Sequence, residues 1–124
     1  MIIAVDFDGT VVEHVFPKVG REVPNAVAAL RLLVENGHSL ILWTMRSGKH
    51  LEDAVAWYSE RKIPLFGINT NPTQASWTTS PKAYAQVYID DAALGCPLIQ
   101  PEGFARPCVC WTTIMVLLHN VTIH

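Results

Sequence analysis

The sequence predicts an α/β protein on a doubly wound parallel sheet, a single domain over residues 1–124. Two observations lead there. Short β-rich apolar runs alternate with stretches of helical periodicity, and the residues that end those runs are polar in four separate places. A parallel strand buried on both faces reads as an unbroken apolar run, and Ile2 to Val5 is such a run. It stops at Asp6, Phe7, Asp8, Gly9 and Thr10. From Pro24 to Asn36, apolar residues at Val27, Leu30, Leu33 and Val34 predict a helix, with Pro24 at its first position and Gly37 just past its end. Ser39 to Trp43 is a second strand that closes at Thr44. Leu51, Ala54, Val55 and Tyr58 then repeat at helical spacing as far as Lys62, before Pro64 forbids continuation. Pro64 to Ile68 is a third strand and Val87 to Ile89 a fourth, and Val109 through Leu118 reads as a last helix. Residues 69–81, rich in Asn, Thr, Ser and Pro, form a long loop.

Composition narrows the function classes. Half of the 124 residues are hydrophobic and 16% are charged, which excludes a disordered chain, and 9 Lys+Arg against 11 Asp+Glu leave a charge of −2. Without a basic run, non-specific nucleic-acid binding and attachment to an anionic membrane surface are not expected. The longest apolar stretch, Ile114 to Leu118, is far short of the roughly 20 residues of a membrane span. Met1 leads straight into a strand pattern with no basic segment and cleavage site, so the expectation is a cytoplasmic protein with reduced thiols at Cys96, Cys108 and Cys110. Cys108 and Cys110 lack a second well-spaced pair, so ordinary packing is expected of them rather than a zinc site.

In a doubly wound sheet, ligands bind beyond the carboxyl ends of the strands, near the switch in strand order. Asp6 and Asp8 follow the first strand, Thr44 the second, Asn69 the third, and Asp90 and Asp91 the fourth, so polar groups from four segments converge on one edge. Two carboxylates capping a strand end would need no such company.

These residues resemble the haloacid dehalogenase (HAD) superfamily in its small, capless, phosphatase-type form, over Ile2 to about Asp91. Asp6 through Thr10 match its first motif, Leu42 to Thr44 the second, Lys82 the third, and Ile89 to Asp91 the fourth. The resemblance implies a Rossmann-like core without a cap domain, and Mg²⁺-dependent hydrolysis of a phosphate monoester through an aspartyl-phosphate. Such hydrolysis is very slow uncatalysed and needs positioning, charge neutralisation and an in-line nucleophile. Asp6 would attack phosphorus, and Asp8 would protonate the leaving oxygen and later activate water. The Thr44 hydroxyl and nearby amides would grip the phosphoryl oxygens while Lys82 neutralises charge, with Gly9, Thr10, Met45 and Arg46 as further substrate contacts. Carboxylates facing a dianionic phosphate need a cation, and oxygen ligands suit Mg²⁺. Asp6, Asp90 and the Asp8 carbonyl are the implied ligands, with Asp91 holding a metal-bound water.

Some assignments stay open at this level. Lys82 stands unusually close to Asp90, as in the deoxyribonucleotidase type, and Lys49 is its substitute if Lys82 is a solvated loop lysine. Arg46 reads equally as surface charge or substrate contact, His14 as a flap residue or an exposed histidine, and Trp77 as packing or a leaving-group contact. The stretches Thr10–Thr44 and Thr44–Lys82 are already filled by core elements, so no cap fits. An open site favours a large phosphorylated substrate or closure by a second subunit of a homo-oligomer. The alternative function is a receiver-like or catalytically silent phospho-regulated module; a receiver would carry Asp where Asn69 closes the third strand.

Overall fold

Two adjacent apolar strands form the centre of the computed structural model, which describes residues 1–122. β1 (Ile2–Val5) and β2 (Ser39–Leu42) run parallel in register from Ile2 opposite Ser39 to Val5 opposite Leu42. β3 (Gly67–Ile68) pairs with the outer side of β2, and β4 (Val87–Ile89) with the free side of β1, giving the parallel order β3-β2-β1-β4. The chain therefore moves outward from β1 to β3 and then crosses back, so the strand order switches between β1 and β4. This is the predicted doubly wound α/β architecture, with no cap among the described residues.

Successive strand residues face opposite sides of the sheet, and burial follows that alternation. Ile3, Val5, Leu40 and Leu42 join one apolar cluster with residues of α1 (Ala26–Glu35), α2 (Gly48–Glu60) and α3 (Trp111–Thr122). Ala4 and Ile41 face the other way and pack with Ala83 and Ala85. That second face is covered by the segment leading into β4, whose regular structure is a short 3₁₀ turn over Gln74–Ser76. Two buried amides hold this segment in shape: Gln74 Nε2 donates to Ser80 O and Lys82 O, its Oε1 accepts from Tyr84 N, and Asn71 Nδ2 donates to Tyr84 O.

The structure departs from the sequence reading at several boundaries. Pro24 does not open α1. It is the second residue of a turn closed by Ala26 N–H to Val23 O at 3.1 Å, with Asn25 at φ 67°, a left-handed conformation that Asn tolerates. The third strand keeps only Gly67–Ile68 of the expected 64–68, and α2 starts at Gly48, ahead of its first apolar residue. The last helix does not begin at Val109. Cys108–Val109 is instead a strand, β6, antiparallel to β5 (Leu98–Ile99). Long-range pairing overrides local helical periodicity here: Val109 N–H donates to Gly9 O at 3.0 Å and Cys110 N–H to Pro97 O at 2.9 Å. One residue further on, the buried Trp111 indole N–H donates to Thr10 O at 2.7 Å. The C-terminal region thus ties down the loop after β1. No helix among the described residues is long and apolar enough to cross a membrane.

Trp111→Phe keeps most of the apolar volume but leaves the Thr10 carbonyl buried without its donor. A loss of about 1–3 kcal/mol is expected in denaturant unfolding. Unchanged stability would show that this bond contributes nothing to the fold.

Candidate active site

The register places the chemistry. Val5 lies opposite Ile89, so the residues that follow β1 and β4 leave the sheet side by side, joined by Asp6 N–H to Ile89 O at 2.9 Å. Carboxylate oxygens of Asp6, Asp90 and Asp91 consequently come within 4.8 Å of one another. They open into a cleft of about 390 Å³ lined also by Asp8, His14, Phe16, Thr44, Met45 and Arg46. An adjoining lobe of about 330 Å³ shares Asp6, Thr44, Met45 and Asp90 and adds Trp43 and Asn69. A larger groove of about 550 Å³ along α2 and β3 is lined by one charged residue, Lys62, and no carboxylate, so the reactive groups belong to the smaller cleft.

The loop after β1 is shaped to seat this cluster. Gly9 has φ +84°, and a Cβ there would come within 2.3 Å of Asp91 Oδ2, so glycine both permits the turn and makes room for the carboxylate. The fully buried Thr10 hydroxyl donates to Asp6 Oδ2 at 3.0 Å and accepts from Asp91 N–H at 3.2 Å. Asp90 Oδ1 accepts from Ala92 N–H at 2.9 Å. Burial is the chief cause that pushes the Asp6 carboxyl up from an ordinary 3.8 to about 8. The hydrogen bond with Asp91 and the charge of Asp90 act in the same direction, against the Thr10 hydroxyl and the Phe7 N–H. Without a cation, Asp6 therefore holds a proton at neutral pH.

Asp8 turns away from this cluster. Its carboxylate forms a bidentate pair with Arg46, Nε to Oδ2 and Nη2 to Oδ1 both at 2.7 Å, and the Arg46 side chain is 1% exposed. Thr44 sits between the two halves of the site. Its N–H donates to Asn69 Oδ1 at 2.8 Å, and its hydroxyl accepts from Arg46 N–H at 3.1 Å. Asn69 takes φ 53° to present that amide, a role its position at the end of β3 signals in the sequence. The N–H groups of Asp8 and Met45 have no partner among the described residues. Met45 is 97% exposed and Phe16 half exposed, so apolar surface rims the cleft.

The expected residues are thus partly assembled. Asp6, Asp8, Thr44, Met45, Arg46, Asp90 and Asp91 line the cleft, and the carboxylates that could hold a metal ion are those of Asp6, Asp90 and Asp91, while the Asp8 side chain pairs with Arg46 and its expected part is through its backbone carbonyl. Gly9 and Thr10 are buried beneath the carboxylates and are not among the residues that line the cleft. Lys82 is not delivered. Its backbone is held by Gln74 on the second face of the sheet, and its Nζ stands over the Tyr88 ring, 5.3 Å from the centroid. Lys49 does not line the cleft either. Arg46 is neither a surface charge nor an open substrate contact, and Trp77, 64% exposed, packs edge-on against Tyr84 away from the cleft. His14 does line it, with Nδ1 3.2 Å from Arg106 Nη1. The Trp111 contact gave no sequence signal, because it joins residues 101 positions apart.

No protein-family model and no curated protein matches the chain. Among solved structures it is similar to a conserved protein from Bacteroides thetaiotaomicron, with 35% identity, a TM-score of 0.79, and coverage of 97% of this chain and 90% of that one.

A carboxyl that is less acidic in the folded chain than in the unfolded one binds its proton more tightly when folded, so stability falls as pH rises from about 4 to about 8. EDTA-treated wild type should therefore melt progressively below Asp6→Asn across that window, with the gap widest above pH 8 and closing near pH 4. Parallel melting curves for the two proteins would contradict the raised Asp6 pKa.

Proposed function

The chain belongs to the same family as the conserved Bacteroides thetaiotaomicron protein, and for the carboxylate cleft described above we propose a phosphate-monoester hydrolase of the HAD type. The observation that carries this reading is the pairing of two chemically distinct carboxylates across one cleft. Asp6 sits in a crowded acidic cluster, and Asp8, two residues on, is held by an arginine. Asp6 Oδ attacks phosphorus and the bond to the leaving oxygen breaks; to give that oxygen its proton, Asp8 first takes one up from solvent in place of one of its Arg46 hydrogen bonds. Asp8 then takes a proton from water as the water oxygen attacks the aspartyl-phosphate, which releases inorganic phosphate and restores Asp6. The unpartnered Asp8 and Met45 N–H groups serve as donors for phosphoryl oxygens, and Thr44 adds its hydroxyl.

The donor set fits Mg²⁺. Three carboxylates with hard oxygen ligands face one another, and no lysine lines the cleft to balance them. Asp6 and Asp90 would hold the ion, with the Asp8 carbonyl, and Asp91 through water. When bound, Mg²⁺ supplies positive charge to the phosphoryl oxygens and replaces the proton that keeps Asp6 neutral. The uncapped cleft, with Met45 and Phe16 exposed at its rim, favours a phosphate carried on a large organic group.

Turnover of an aryl phosphate should require Mg²⁺ and disappear with EDTA. Asp6→Asn should lower kcat by at least about a thousandfold while the fold is retained, since the amide cannot attack phosphorus. Near-wild-type turnover in Asp6→Asn, or full activity in EDTA, would overturn the mechanism.

A further inference from the structure

Arg106 is the arginine at this cleft that has no carboxylate of its own. Arg21 pairs with Glu13, Arg46 with Asp8 and Arg61 with Glu22, whereas among the described residues Arg106 touches His14 alone, Nη1 to Nδ1 at 3.2 Å. A guanidinium has five N–H donors and cannot accept, so His14 Nδ1 is the acceptor and the ring carries its proton on Nε2. The other four donors of Arg106 have no partner among the described residues.

The fold fixes this cation in place. Arg106 lies between two points at which the C-terminal region is fastened to the segments after β1. On one side Gly103 O accepts from Arg21 Nη2 at 3.0 Å, and the Phe104 ring packs under the same guanidinium. On the other, Val109 N–H donates to Gly9 O at 3.0 Å. The short stretch between them brings Arg106 against His14, which lines the cleft with Asp6, Asp8, Asp90 and Asp91. Arg106 is not itself a lining residue, so a phosphate held by Asp6, Thr44 and Met45 is not what it meets. What reaches it is a group that extends from the cleft past His14. Such a group has reason to need a cation. Four carboxylates line the cleft, and the donors of Arg46 are all taken by Asp8 and by the carbonyls of Pro17, Lys18 and His50. A second negative charge on an entering ester would be repelled unless it were met at the rim.

We propose that Arg106, steadied by His14, is a specificity-determining residue that binds a second oxyanion, phosphate or carboxylate, on the leaving group of the ester. This rests on the hydrolase reading given above. The substrate class is then a doubly anionic organic phosphate whose carbon skeleton passes the apolar rim at Met45 and Phe16. The arginine fork suits either anion through paired hydrogen bonds.

The test compares three esters of matched chain length, run over a series of lengths at saturating Mg²⁺: a hydroxyalkyl phosphate, the corresponding alkanediol bisphosphate, and a carboxyalkyl phosphate. In wild type, at the best length, a doubly anionic ester should have a KM about fivefold or more below that of the hydroxyalkyl phosphate, the size expected of a charge-assisted pair at a partly exposed site. The better of the two names the anion. R106Q should erase this KM ratio, and R106K, which keeps the charge but not the fork, should retain part of it. Calorimetry with the matching phosphonates, which are not hydrolysed, should show the same preference in wild type and its loss in R106Q.

Equal KM values for all three esters in wild type would overturn the proposal. So would a loss in R106Q that falls equally on all three, which would make Arg106 a support for His14 and nothing more. If wild type hydrolyses none of the esters, the hydrolase reading fails. The calorimetry then still decides: a preference for the doubly anionic phosphonate that R106Q abolishes upholds the second oxyanion site, and no preference removes it.

Discussion

Like charge held at close range is the constraint on which this molecule is organised. Carboxylate oxygens of Asp6, Asp90 and Asp91 lie within 4.8 Å of one another, and mutual repulsion would scatter them unless the backbone held them in place. The parallel pairing of β1 with β4 supplies that hold, because it forces the segments after Val5 and Ile89 to leave the sheet together. The remaining contacts around the first loop serve the same end. Gly9 yields space to Asp91, the Thr10 hydroxyl links Asp6 with Asp91, and β6 and Trp111 pin the Gly9 and Thr10 carbonyls from the far end of the chain.

The charge is managed in two ways, and the difference has chemical meaning. Asp8 has a resident partner, a buried guanidinium whose bidentate grip sets the direction of both carboxylate oxygens. Among the described residues no cation pairs with the other three carboxylates, and Asp6 answers by retaining a proton. The Arg46 charge is part of the scaffold. The open mouth of the cleft is rimmed by Met45 and Phe16 rather than closed by a domain.

The segment between Glu13 and Arg21 follows from the same economy of partners. Its base is clipped by the bidentate Glu13–Arg21 pair at 2.9 Å, and its tip by Arg46 through the carbonyls of Pro17 and Lys18. Arg21 also reaches Gly103 O and stands over the Phe104 ring, so the C-terminal region supports this segment as well as the loop after β1.

What the sequence by itself determined is what local pattern can encode. Apolar runs marked β1, β2 and β4, helical periodicity marked α1 and α2, and the polar residues after each strand marked the edge where Asp6, Asp8, Thr44, Asp90 and Asp91 now stand. Those positions are legible because strand alternation and parallel order leave few choices for where a strand end points. Tertiary structure decided everything that depends on a partner distant in sequence. Cys108 and Val109 became strand instead of helix because Gly9 and the 98–99 segment offered them hydrogen bonds, and the second face of the sheet was covered by a loop pinned on Asn71 and Gln74. Lys82 was drawn onto Tyr88 by the same loop, and Arg46 was drawn inward to Asp8, 38 positions away. A charged side chain carries no mark of its future partner in its own neighbourhood, because burial is acceptable to it only where distant segments happen to supply acceptors for every donor.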